Sequence, residues 1–277
     1  MSLAGLVDAK LEDYIAENRG NDQCWFFVHI PKTAGSSFRR ELAALLRPNY
    51  NVHIDRDRAS DAQVPHGQKI VAATREFNAL LSERTYRFAS GHVPVSLLKA
   101  HVDTWEDMKL ITMLREPAIR AISDYRYQTT PAHPTHRQFL ERFPTFEAFL
   151  KAPHLSNRMF NFLRPSQDAT VEDCIEFVVE RFAFVGLVEM YPLSFRLVTR
   201  LMEEERSPTQ YVRKTEDNEH NRFDVTPELL DRVREINSLD VMLYDYFHDR
   251  LARIRDQVTS EVVDPSDHAR CSGQPHT

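Results

Sequence analysis

Three short stretches of this 277-residue chain collect side chains suited to holding an anion and moving a proton. The first is HIPKTAGSSFRR, residues 29–40, where Lys32 stands three residues before Gly35 and Ser36 and Ser37 follow. A loop of small residues between a buried strand and a helix start points free backbone N–H groups and the positive helix end at one spot, and an anion is its natural occupant. Lys32 adds a mobile point charge, the serines add hydroxyl donors, and Gly35 lets backbone approach closely. The second stretch is Gly91-His92, at the end of a short apolar run. Histidine titrates near neutral pH, which suits it to general-base work. The third is LREPAIRAISDY, residues 114–125, where Arg115 follows a buried run and Ser123 lies nearly two helical turns further on. The planar fork of an arginine suits a phosphate rather than a metal ion, since it carries donors and no acceptor.

The order of residues in the first stretch separates it from the Walker A loop. GxxxxGK[ST] puts the lysine after the glycine, whereas Lys32 precedes Gly35. A magnesium-dependent nucleotide hydrolase also needs an Asp at a later strand end, and this chain has Arg115-Glu116-Pro117 there. Cys24, Cys174 and Cys271 are far apart with no CxxC or Cys/His spacing, so neither a disulfide framework nor a metal site is indicated, and a reducing cytoplasm is the expected compartment.

Strand and helix patterns place these residues. Cys24 to Ile30, CWFFVHI, is a continuous apolar run of the kind buried on both faces of a parallel sheet. In the helix that follows it, Phe38, Leu42, Leu45 and Leu46 fall on one face. Further strands are predicted over Tyr50 to Ile54, Tyr86 to Ser90, Lys109 to Leu114 and Phe182 to Val188, with a polar linker over Asp55 to Gln68 and a helix over Lys69 to Ser82. Pro117 suits a helix first turn. The second half is read as mostly helical: Thr145 to Lys151, Asn157 to Leu163, Val171 to Arg181, Pro192 to Glu205, and Pro227 to Arg255 with a break near Asn237. Strands alternating with helices predict a P-loop-like three-layer α/β fold, a central parallel sheet flanked by helices with a helix-rich C-terminal half. In such sheets ligands bind outside the carboxyl ends of the strands, where Lys32, His92 and Arg115 would converge.

Hydrophobic residues make up 42% and charged residues 27%, ordinary values for a soluble globular chain. No run reaches the ~18 apolar residues of a membrane span, and the opening MSLAGLVDAKLEDYIAENRGNDQ reads as an amphipathic helix rather than a secretory signal. The net charge of −6 argues against general nucleic-acid binding. Arg115, Arg120, Arg126, His133, His136, Arg137 and Arg142 nonetheless make one locally basic stretch, so an anionic partner would be met there.

HIPKTAGSSF followed by LREPAIRAISDY resembles the paired cofactor signatures of the sulfotransferases that use 3′-phosphoadenosine-5′-phosphosulfate (PAPS), in the branch containing heparan sulfate 2-O-sulfotransferase. The resemblance extends through Gly91-His92, FVGLVE (Phe184 to Glu189), Arg213-Lys214-Thr215 and NSLDVMLYDYFHDRL. It implies that Lys32, Thr33, Ala34, Gly35, Ser36 and Ser37 grip the 5′-phosphosulfate, that Arg115 and Ser123 hold the 3′-phosphate, and that Arg213 and Thr215 approach the nucleotide from the far end of the chain. It further implies a metal-independent transfer to a hydroxyl, in this branch a saccharide hydroxyl, with His92 as general base and Lys32 at the leaving oxygen. The animal enzymes of the branch have a further histidine before the Gly-His pair, where this chain has Ser90.

The domain organisation expected is an N-terminal helical extension over 1–23, a sulfotransferase domain over 24–256 and a disordered tail over 257–277. Candidate acceptor residues lie between Tyr125 and Asn161: Tyr125, Tyr127, His133, His136, Arg137, Asn157 and Arg158. A lipid, polyketide or phenol acceptor stays open on this reading, because acceptor pockets vary on a shared fold. So do two rival functions, a phosphate-loop kinase and a noncatalytic glycan- or nucleotide-binding module.

Overall fold

Three apolar runs form buried strands, every residue in them covered on one face or the other. They are β1 (Trp25–Val28), β4 (Lys109–Leu114) and β5 (Phe182–Leu187). With β2 (Asn49–Val52) and β3 (Phe88–Gly91) they make a five-stranded parallel sheet in the order β2-β3-β1-β4-β5. The polar, partly exposed NYNV of β2 fits its place at one edge. The computed structural model describes residues 11–20, 22–54, 64–209, 219 and 221–262.

The chain leaves β1 for β2 and β3 on one side, then crosses to β4 and β5 on the other. The crevice at the carboxyl ends of β1 and β4 is therefore a topological switch point, the place where an open α/β sheet takes its ligand. Two helices start at that rim: α2 (Gly35–Leu45) after β1 and α5 (Pro117–Gln128) after β4. Pro117 occupies the first turn of α5, and the Glu116 side chain accepts the Ile119 N–H at 2.7 Å.

The remaining helices cover the sheet and build a second core. α1 (Leu11–Asn18) buries Tyr14 and Ile15 in the main core, and the Tyr14 hydroxyl donates to the Ala183 carbonyl of β5. α3 is His66–Glu83 and α4 is Val95–His101. α6 (His136–Arg142), α7 (Phe146–Leu150), α8 (Arg158–Leu163) and α9 (Val171–Arg181) follow, the last opening with a capping box from Thr170 and Asp173. α10 is Tyr191–Leu201, α11 Pro227–Ile236 and α12 Ser238–Val262. The break at Asn237 stands where the sequence predicts it. α10 ends four residues earlier than predicted because Glu203 turns into the left-handed region, φ 58°. α4 and α6 go beyond the sequence reading; at seven residues each they are too short for a periodic pattern to emerge.

Candidate active site

The loop from β1 to α2 is held in a conformation that its side chains do not favour. Lys32 and Ala34 both take left-handed backbone, φ 69° and 57°, although neither is glycine. Such a turn costs about 1 kcal/mol or more per non-glycine residue, so the surroundings must over-determine it. Two contacts do so. The Thr33 hydroxyl, fully buried, donates to the Ile30 carbonyl at 2.9 Å, and Arg115 Nη1 donates to the Lys32 carbonyl at 3.1 Å. Ala34 is the N-cap of α2, and no side chain caps the helix there, so its first N–H groups face the rim. Thr33 can thus offer an anion its backbone N–H but not its hydroxyl. Gly35 is needed for a different reason from the one its sequence context suggests: a Cβ there would collide with the imidazole of His29.

Polar side chains of α5 stand near this loop: Arg120 and Asp124 act on the Lys32 charge, and Tyr127 contacts it. Arg120, Ser123, Asp124 and Tyr127 recur at helical spacing, and Ser123 is half-buried. Arg120 is 0% exposed; its Nη1 donates to Asp124 Oδ2 at 3.4 Å, while Nε and Nη2 have no hydrogen-bond partner among the described residues. The Lys32 ammonium lies 3.9 Å from the centroid of the Tyr127 ring. Burial brings the Lys32 pKa down to about 8; Asp124 works against that shift, and Arg115 and Arg120 add to it. Lys32, Arg115 and Arg120 thus stand close enough to repel one another, with Asp124 as the carboxylate acting on Lys32.

His92, exposed just past β3, completes the rim. Its Nδ1 lies 2.6 Å from the His29 carbonyl, which can only accept, so Nδ1 carries the proton and Nε2 the lone pair of the neutral ring. The two imidazoles lie against each other with centroids 4.1 Å apart, and His29 also stacks on Phe27. His29 is buried, and burial together with the nearby His92, Arg39 and Lys32 charges holds its pKa well below the ordinary range. His29 is thus a neutral prop, and His92 is the histidine that faces outward.

The acceptor candidates divide. Tyr125 is 1% exposed inside the second core, among Phe139, Phe146, Phe149 and Phe223, which corrects its assignment as a sugar-facing residue. Asn157 is likewise structural: in left-handed backbone, φ 48°, it accepts the Leu239 and Asp240 N–H groups at 3.1 and 3.2 Å and donates its own N–H to Asn237. Tyr127, His133, His136 and Arg137 stay at or near the surface, with His133 edge-on to Tyr127 at 5.2 Å between centroids. Arg158 is half-buried, its Nε without a hydrogen-bond partner among the described residues, and burial lowers its pKa. Arg213 and Thr215 lie outside the described residues.

The site also depends on residues that the sequence reading did not single out. Glu189 Oε1 accepts the Glu116 N–H at 3.0 Å and Oε2 the Tyr244 hydroxyl at 3.1 Å, while Arg234 Nε donates to Glu116 at 2.9 Å. The turn that carries Arg115 is thereby tied to the turn after β5, to α11 and, through Glu189, to α12. Asp240, 0% exposed, accepts the Met159 and Phe160 N–H groups at the start of α8. Glu41 on α2 accepts the backbone N–H and hydroxyl of Thr209, at 2.7 and 3.0 Å. Glu189, Asp240 and Tyr244 stand in motifs quoted above, FVGLVE and NSLDVMLYDYF, but only their contacts reveal what they hold. Among the described residues, no group of three or more His, Cys, Asp or Glu side chains could hold a metal ion.

No curated protein matches the chain. Among solved structures, a sulfotransferase from Alicyclobacillus acidocaldarius is similar at 16% identity and TM-score 0.45, over 83% of this chain and 96% of that one. A mouse sulfotransferase, SULT7A1, complexed with PAP, is similar at 14% identity and TM-score 0.40, over 83% of this chain and 70% of that one. The sequence model of the sulfotransferase family matches residues 21–247, which span the loop after β1, His92, the α5 face and the α12 contacts, and this chain belongs to that family.

Proposed function

We propose that the protein transfers the sulfuryl group of PAPS to a hydroxyl, with a saccharide as the acceptor and without a metal ion. The observation that carries this reading is the bond from Arg115 to the Lys32 carbonyl, which joins the rims of two adjacent strands into one cationic seat beside an uncapped helix start. The donor has two separated anionic ends, a 5′-phosphosulfate and a 3′-phosphate. The loop over Lys32 to Ser37 suits the first, and Arg115 with Ser123 suits the second. Arg213 and Thr215 are proposed as further nucleotide contacts.

The chemistry that follows is an in-line displacement. The acceptor hydroxyl gives its proton to His92 Nε2 as its oxygen bonds to sulfur, the bond from sulfur to the bridging phosphate oxygen breaks, and 3′,5′-ADP leaves. His29 holds the base tautomer through its carbonyl. Lys32 stabilises the charge that grows on the leaving oxygen, where positioning and charge do most of the work. Of the acceptor candidates, His133, His136, Arg137 and Arg158 remain the side chains proposed to meet a saccharide. No helix among the described residues is long and apolar enough to cross a membrane. Cys24 and Cys174 are free thiols whose pKa burial pushes up to about 12, so neither is poised to react as a thiolate; the cytoplasm remains the proposed setting.

The test is a thermal-shift titration with 3′,5′-ADP, ADP and AMP, each with and without magnesium, followed by transfer assays from PAPS to a saccharide panel. Metal-independent stabilisation by 3′,5′-ADP above the other two is expected. Preference for ADP with magnesium would replace this reading with a kinase, and sugar binding without any nucleotide response would replace it with a glycan-binding module.

A further inference from the structure

A lysine that must meet a single leaving oxygen needs its head held, because the ammonium is a compact charge on a flexible four-carbon stem. The backbone of Lys32 is held by Arg115, which grips its carbonyl. Its head has fewer supports. Arg115 and Arg120 repel it, and Asp124 attracts it, but the Asp124 carboxylate is already engaged by Arg120 at 3.4 Å and by Gln128 Nε2 at 3.0 Å. Among the described residues, the group in direct contact with the ammonium is the ring of Tyr127, one turn beyond Asp124 on the same face of α5. That ring is itself braced edge-on by His133, whose Nδ1 lies 3.3 Å from the Thr135 hydroxyl. At 39% exposed, Tyr127 does not belong to the core, so packing does not account for it.

We infer that Tyr127 is a positioning residue for sulfuryl transfer, its ring face holding the Lys32 ammonium at the mouth of the loop. This rests on the role given to Lys32 above, and it replaces the expectation that Tyr127 serves as an acceptor contact. A cation over an aromatic face gains from the ring quadrupole, more so where water is partly excluded. The phenol hydroxyl takes no part in that interaction, so the ring and not the hydroxyl is the feature that matters.

The experiment is a double-mutant cycle on the full chain with Tyr127→Leu, Lys32→Met and the pair, plus Tyr127→Phe. Tyr127→Leu is expected to lower kcat roughly 3- to 30-fold, the range of a partly desolvated cation–π contact, with KM for donor and acceptor changed less than about twofold. Tyr127→Phe should restore most of that loss, and in the Lys32→Met background Tyr127→Leu should cost almost nothing further. An effect confined to acceptor KM, an equal loss in both backgrounds, or a phenylalanine as poor as leucine would overturn the inference. Melting temperatures of the same four proteins provide a reading without turnover: non-additive shifts support the contact and additive ones overturn it. A wild type that moves no sulfuryl group would count against the donor reading, while the thermal cycle still decides the role of Tyr127.

Discussion

Two polar clusters lie within one helix of each other, and they are built on opposite plans. Around Asn157, Asn237 and Asp240 the buried groups are matched: each carboxylate oxygen of Asp240 accepts a backbone N–H, and Asn157 and Asn237 bond each other's segments reciprocally. Around Lys32, Arg115 and Arg120 the cations crowd one another, with strained backbone at Lys32 and Ala34 and two nitrogens of the buried Arg120 unbonded among the described residues. A buried donor left unmade costs about 1–3 kcal/mol, so the second cluster is an expense that the fold bears. The difference teaches where to look for function: the satisfied cluster secures α8 against α12, and the other is the one proposed above as the seat of the donor's anionic groups.

Substitutions should separate the two clusters. The largest effect is expected from His92→Ala, which should lower transfer about 10²–10⁴-fold, the usual contribution of a general base, while leaving 3′,5′-ADP binding within a few-fold of wild type. Turnover measured beside calorimetric binding checks this; transfer at the wild-type rate would remove His92 from the base role. On the satisfied side, Asp240→Ala should cost about 3–5 kcal/mol of stability, since it strands two N–H groups and the nearby Arg120 and Arg158 charges. Urea unfolding would show it as a lower midpoint. A change below about 1 kcal/mol would mean that the cluster is not the structural one.

A smaller effect is expected from Arg115→Ala, which should weaken 3′,5′-ADP by about ten- to hundredfold, the range of a charge-assisted bond, and weaken AMP much less. Equal losses for both ligands would move the 3′-phosphate elsewhere. The smallest effect sharpens the contrast by its sign. Lys32 has its pKa lowered from an ordinary 10.5 to about 8, so between those values the unfolded chain binds the proton that the folded one has lost. Stability contributed by this group therefore rises with pH across that window, and below about pH 8 the charged lysine is a full burden. Lys32→Met should melt higher than wild type at pH 7, and the gap should close as pH rises from 8 towards 10.5. The same titration predicts that wild-type turnover falls as pH climbs through about 8, and that Lys32→Arg loses this limb.

Much of this contrast is legible in the chain. The runs CWFFVHI and KLITML read as buried strands of a parallel sheet, which puts the residues that follow them, Lys32 and Arg115, at its carboxyl rim. Periodicity is weaker where elements are short, which is why α4 and α6 escape it, and it misjudges Tyr125, whose aromatic-rich neighbourhood reads equally well as a sugar platform or as a core. Gly35 shows the same limit: its presence marks a tight approach, but whether a ligand or the His29 ring is the approaching group depends on a contact across the loop.

What the sequence by itself determined is therefore local and periodic: the buried strands, the Pro117 start of α5, the break at Asn237, and the residue types at each strand end. What only the tertiary structure decided is pairwise and distant in sequence: His29 setting the tautomer of His92, Glu189 and Tyr244 tying down the Arg115 turn, Asp240 capping α8, and Tyr127 lying under Lys32. The physical reason is that burial patterns repeat along the chain with the period of the element that makes them, whereas a hydrogen bond or a ring contact is made between two side chains whose meeting depends on how whole elements pack.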